Sequence, residues 1–236
     1  MEGCPVSIEN NQGRADARLV IAIDGPSGSG KSSVSKAVAR KLGAAYLDTG
    51  AMYRAITYSV LADGTDLDDA AAVAQAVRDA KLSISVDPDA ELVVIGETDV
   101  TEAIREPRIS EQVSAVATNL DARAELVRRQ QEIIAANTRI VAEGRDITTV
   151  VAPDADARIL LTASEEARLR RRGLQLGGTQ NDAQLATQVL ARDAKDSTVV
   201  NFTQAADGVM TVDSSDLDFE QTIAAVLDAV DTATTN

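Results

Sequence analysis

At 236 residues the chain is long enough for one to two domains of roughly 150 residues each, and 44% hydrophobic with 25% charged residues places it among globular proteins rather than disordered, collagenous or membrane-spanning ones. Histidine is absent and cysteine occurs once, which excludes histidine triads, histidine or cysteine-cluster metal sites and internal disulfides; Cys4, in a polar stretch, takes no role. Twenty-three basic against 37 acidic side chains give a net charge of −14, which opposes nucleic-acid binding, so an anionic ligand needs a local cationic pocket.

Residues 1–17 and 231–236 read as polar tails. The first of these lacks the charged and apolar blocks of a secretory signal, and no apolar run nears the roughly 18 residues of a membrane span, so a soluble, cytoplasmic protein without a membrane partner is expected. LVIAID (19–24) is a short apolar run closed by a glycine-rich turn, the pattern of a strand buried on both faces. Val34, Val38 and Leu42 then form the stripe of a helix from Lys31 to Leu42, stopped by Gly43. The alternation recurs with AYLD (45–48) before a helix to Ala62, RIVAE (139–143), ARILL (157–161), and GVMTVD (208–213) before a last helix. Strands alternating with helices predict a parallel sheet covered on both faces. Between Asp66 and Pro107 the rhythm breaks: an alanine-rich helix precedes KLSISV, ELVVIG and TDVT, three short strand candidates that predict an antiparallel insert.

GPSGSGKS, residues 25–32, joins the first strand to the first helix and has the spacing of a phosphate-binding loop. The glycines Gly25, Gly28 and Gly30 let backbone N–H groups converge on phosphate oxygens. Lys31 adds a point charge, and Ser32 offers a hydroxyl to Mg²⁺. Pro26, Ser27, Ser29 and Ser33 complete the expected ATP-binding segment. A dinucleotide site would need glycine at position 33, where Ser33 stands.

The second ligand must be sought among the arginines. Arg54 lies off the apolar stripe of its helix, either solvated or clamping a phosphate near that helix N-terminus. Arg123 precedes Leu126 and Val127 by three and four residues and faces inward, so it meets either a ligand or a buried acid; Arg128 points away, to solvent. Arg145 and Asp146, in EGRD, follow a buried strand at the end where open parallel sheets bind ligands, or they form a local ion pair. Arg168, Arg171 and Arg172 share one face of the SEEARLRRR helix, either solvated or forming a flap over phosphates, while Arg170 is placed to pair with Glu166.

In this order and spacing, GPSGSGKS, LDTGAMYR, REPRISEQVSAVA, EGRDITTVV and ARDAKDS resemble bacterial cytidylate kinases, P-loop nucleoside monophosphate kinases, over residues 19–230. The resemblance implies an α/β three-layer P-loop fold with a five-stranded parallel sheet, a small antiparallel β insert and a short helical lid. It implies a core domain of 18–65 and 118–230, a nucleotide-monophosphate-binding insert of 66–117, and a lid at about 164–200. It also implies transfer of a phosphoryl group from ATP, with Mg²⁺, to CMP or dCMP. Arg54 and Arg145 look like clamps on the acceptor phosphate, Thr49, Arg123 and Asp146 like cytosine contacts, and Ser114, Arg192 and Asp196 like ribose contacts. Unaided by the resemblance, Arg192 and Asp196 are an i, i+4 ion pair. Arg105 also matches a family arginine. Val199 stands where the family usually has an arginine, so one polar contact to CMP is missing or made by another group. A kinase for another small acceptor such as UMP or shikimate, and a nucleotide-hydrolysing switch, are the rival readings. With no exposed apolar stripe or heptad pattern, a monomer is expected.

Overall fold

A computed structural model describes residues 17–175, 191 and 193–235. The central sheet contains β1 (Leu19–Asp24), β2 (Ala45–Asp48), β6 (Arg139–Gly144), β7 (Ala157–Thr162) and β8 (Met210–Asp213) in the order β2-β6-β1-β7-β8, all parallel. Side chains along a strand point alternately to opposite faces, and both faces of β1, β6 and β7 are covered, which is why the middles of these strands are largely apolar. Val20 and Ala22 of β1 join one core with Ile56, Leu126 and Ile140, whereas Ile21 and Ile23 join another with Val38, Ile159 and Val226.

Helix α1 (Lys31–Leu42) ends at Gly43, whose left-handed φ of 57° lets its amide turn back to the Arg40 carbonyl. Helix α2 (Thr49–Ala62) starts directly from β2 and is capped by the Asp48 side chain, which accepts from the Ala51 amide at 2.8 Å. Helix α3 (Ala70–Asp79) leads into a separate antiparallel sheet of β3 (Leu82–Ile84), β4 (Val93–Ile95) and β5 (Thr98–Asp99). Val93, Val100 and Ile104 pack on Ala51 and Ala55 of α2, so the insert rests on the helix that borders the site. Helices α4 (Pro107–Ala117) and α5 (Leu120–Ala135) return the chain to β6.

After β7 come α6 (Glu165–Gln175) and, past β8, α7 (Phe219–Thr235). Two expectations are corrected. The strand anticipated from residue 208 begins at Met210, because Gly208 has φ 73° and belongs to the preceding turn. Residues 231–235, expected as part of a tail, continue α7, with Val230 buried beneath them and the Thr234 and Thr235 hydroxyls donating to the Val230 and Asp231 carbonyls. The N-terminal tail through residue 16, Asn236, and the lid segment 176–190 lie outside the described residues. Among the described residues no helix is long and apolar enough to cross a membrane.

Candidate active site

The parallel arrangement brings the carboxyl ends of β1, β2 and β6 to one edge, with Asp24 opposite Gly144 and Asp48 opposite Glu143 in register. The glycine-rich loop leaves β1 there and enters α1. Gly28 has φ 79°, and a Cβ on it would come within 2.6 Å of the Arg168 carbonyl, so only glycine lets α6 pack directly on the loop. The first amides of α1 face the same space, as an anion cradle requires. Lys31 Nζ lies 3.9 Å from Glu143 Oε2, and Ser32 Oγ donates to Glu143 Oε1 at 2.6 Å. Glu143 is only 2% exposed. Burial, reinforced by the neighbouring Asp48 charge, pushes its carboxyl up to about 7 despite Lys31 and Ser32.

The acceptor-side residues come from separate segments. Arg54, one turn into α2, bonds Asp48 at 2.9 Å. Burial works to raise the Asp48 carboxyl, but Arg54, the Ala51 amide and Lys31 together hold it below the ordinary range. The Thr49 hydroxyl donates to the Glu143 carbonyl at 2.8 Å. A Cβ on Gly144 would lie 2.5 Å from that hydroxyl oxygen, so the glycine of EGRD is required by close approach of α2 to β6. Beyond it, Asp24 accepts from the Ile147 and Thr148 amides, at 2.8 and 2.9 Å, and from the Thr148 hydroxyl at 2.6 Å. This buried carboxylate holds the π-helical turn Ile147–Val151 and fixes the direction in which Arg145 and Asp146 leave the sheet. Burial raises the Asp24 carboxyl against these three bonds.

Of the two arrangements open for Arg123, the structure contains the ion pair: its guanidinium bonds Asp146 and the Ala117 carbonyl. Arg145 does not pair with its neighbour Asp146. Its Nη2 donates to Ser27 Oγ at 2.6 Å and lies 2.9 Å from Asp193, its Nη1 lies 2.9 Å from Asp196, and its plane sits 4.4 Å from the centre of the Phe202 ring. Asp196, 4% exposed, also accepts from Ser114 Oγ at 2.8 Å.

On α6, Arg168 donates to the Ser27 carbonyl at 2.9 Å and to Asp193 at 2.7 Å, while Arg171 reaches the Ser29 carbonyl and Ser214. Arg168, read from the sequence as either solvated or covering phosphates, is paired, and its partner Asp193 arrives from a distant segment. Arg128, expected to be merely solvated, is exposed but paired with Glu125 and Glu132 of its own helix, at the spacing that makes such pairs. The side chain of Arg172 and all of Arg192 lie outside the described residues. Arg105 pairs with Glu91 at 2.7 Å and lines a small pocket with Asp48 and Ala51, and Val199 is half-buried just beyond Asp196.

The structure thus brings Lys31, Ser32, Thr49, Arg54, Ser114, Arg123, Arg145, Asp146, Arg168, Arg171 and Asp196 to one edge of the sheet. Four acids escaped the sequence reading: Asp24, Asp48, Glu143 and Asp193. The first three carried a signal, since each sits in or ends an apolar strand, where a buried charge needs a partner or a ligand. A polar cleft of about 440 Å³, lined by Ser164, Glu166, Arg170, Ser215 and Asp218, opens beside Arg171; Glu166 and Arg170, expected to pair with each other, both line it.

Residues 21–232 match the model of the cytidylate kinase family. The chain is 49% identical to a cytidylate kinase of Cutibacterium acnes, over 90% of this chain and 96% of that one. It is 48% identical to a cytidylate kinase of Nocardia farcinica (88% and 91% covered), and 42% identical to one of Streptomyces avermitilis (95% and 97% covered). Among solved structures, a gluconokinase from Sinorhizobium meliloti shares the fold, with a TM-score of 0.52 at 15% identity over 93% of this chain and 95% of that one.

Proposed function

The chain belongs to the cytidylate kinase family, and from that premise we propose that it transfers the γ-phosphoryl group of ATP to CMP or dCMP, giving ADP and the corresponding diphosphate. The observation that carries this reading is the meeting of Arg145 with Ser27, which brings an acceptor-side guanidinium within 2.6 Å of the phosphate-binding loop. Two anionic groups bound on either side of that contact lie close enough for direct transfer, which depends on positioning and charge cancellation.

In this mechanism the loop from Gly25 to Ser33 holds the donor phosphates and Lys31 follows the charge that spreads over the transferred group. Arg168, Arg171 and Arg172 cover it from the lid. The polar cleft beside Arg171 is of a size for the nucleoside end of the donor. Mg²⁺ would enter with the triphosphate, held by Ser32 with Glu143 and Asp48 behind it, and would neutralise phosphate charge; this pair of adjacent buried carboxylates beside a hydroxyl is an oxygen donor set suited to it. Arg54 and Arg145 hold the acceptor phosphate, Thr49, Arg123 and Asp146 read the cytosine edge, and Ser114, Asp196 and Arg192 hold the ribose. No histidine is needed, because an acceptor phosphate oxygen is already anionic near neutral pH.

A coupled assay tests the proposal: ADP formation from ATP and Mg²⁺ is expected to rise steeply on adding CMP or dCMP and much less with UMP or shikimate. Equal ADP formation with and without an acceptor would instead indicate a hydrolase.

A further inference from the structure

Asp193 has an unusual set of partners. Its carboxylate accepts from the Ser27 amide of the phosphate-binding loop at 3.2 Å, accepts from Arg168 at 2.7 Å, and lies 2.9 Å from Arg145. A loop amide and two guanidinium groups converging on two oxygens form the donor set of a phosphate site. Asp196, three residues on, differs: it is anchored by Ser114 and lies deeper, whereas these three partners of Asp193 all belong to anion-binding machinery. The side chains of Asp193, Arg145 and Arg168 are each between 11% and 14% exposed, so a ligand entering the cleft can reach them.

We propose that Asp193 is a positioning residue that stands in for a phosphate: it gathers Arg145 and Arg168 at the loop, and an incoming phosphate displaces it from them. The inference rests on the reading of Arg145 and Arg168 as arginines of the acceptor and donor sides. A carboxylate and a phosphate cannot share the same donors at this distance without strong like-charge repulsion. The exchange therefore replaces one anion by another, and the two arginines stay gathered throughout. Asp193 thus weakens binding of the first phosphate while keeping the arginines ordered for transfer.

Binding of inorganic tripolyphosphate to the full chain, measured by calorimetry, separates this role from a merely structural one. Asp193→Asn is expected to bind the anion about tenfold more tightly, the scale of one charged hydrogen bond no longer competed for, while kcat with ATP and CMP falls. Asp89→Asn, which removes an acid paired with Arg40 on the surface, controls for net charge and is expected to leave both unchanged. Equal or weaker binding by Asp193→Asn, or equal tightening by Asp89→Asn, would overturn the proposal. If Asp193→Asn does not fold, the unaltered chain still decides: the Asp193 carboxyl carbon resonance should move as tripolyphosphate is added, and a stationary resonance at saturation would overturn it. Loss of CMP-dependent turnover in the unaltered chain would count against the kinase reading instead.

Discussion

The donor and acceptor sides of the site are built in opposite ways. The donor cradle is eight contiguous residues between one strand and one helix, and its main ligating groups are backbone amides that any sequence with the right glycines presents. The acceptor side consists of side chains from α2, α4, α5, the turn after β6 and the segment around Asp196, and Arg54, Arg123 and Arg145 are each paired with an acid from a different element. A backbone site is tolerant of its surroundings, whereas a site of buried arginines exists only while each charge has a partner, because breaking one pair strands the other charge.

That contrast can be broken by substitution. The largest effect is expected on the donor side: Lys31→Ala should lower kcat/KM by about 10³-fold with little change in thermal stability, since it removes charge stabilisation from the transferred group. Glu143, which both sides share, should also show itself in the pH dependence of stability. Its folded carboxyl titrates at about 7, above the ordinary 4.5. Between those values the unfolded chain has released a proton that the folded chain keeps, so stability falls as pH rises through this window, by about 3 kcal/mol. Glu143→Gln should remove that decline when thermal unfolding is followed from pH 5 to pH 8, and an unchanged slope would show that Glu143 is already ionised at pH 5.

On the acceptor side, Arg145→Ala should raise the KM for CMP about 10- to 100-fold, with a smaller change in the KM for ATP. It should also destabilise the fold, because Asp193 and Asp196 lose a shared partner. An effect of equal size on both KM values would erase the distinction between the two sides. The smallest effect belongs to an arginine outside both: Arg128→Ala breaks two exposed, solvent-screened ion pairs and should leave both the thermal unfolding midpoint and turnover nearly unchanged.

The legibility of the molecule follows the same division. The strands and helices were readable because a sheet buried on both faces demands largely apolar runs, and because Gly43 marks a helix end with local chemistry. The phosphate-binding loop was readable because its function is written in consecutive residues. Arg123 could be assigned to the inward face from helical spacing, but whether it met an acid or a ligand could not be decided, since Asp146 is 23 positions away. The same applies to Arg145: a ligand and a local pair with its neighbour Asp146 were both open, yet the turn held by Asp24 sends the two side chains in different directions.

The amino-acid sequence by itself determined the α/β sheet, the insert and the donor loop, because each depends on the periodicity or chemistry of residues close together in the chain. Only the tertiary structure decided the pairing of the arginines and brought Asp193 to the loop 166 positions before it. Charge pairing is a matter of distance in space, and nothing in the local pattern of ARDAKDS distinguishes an acid facing water from one filling the place of a phosphate.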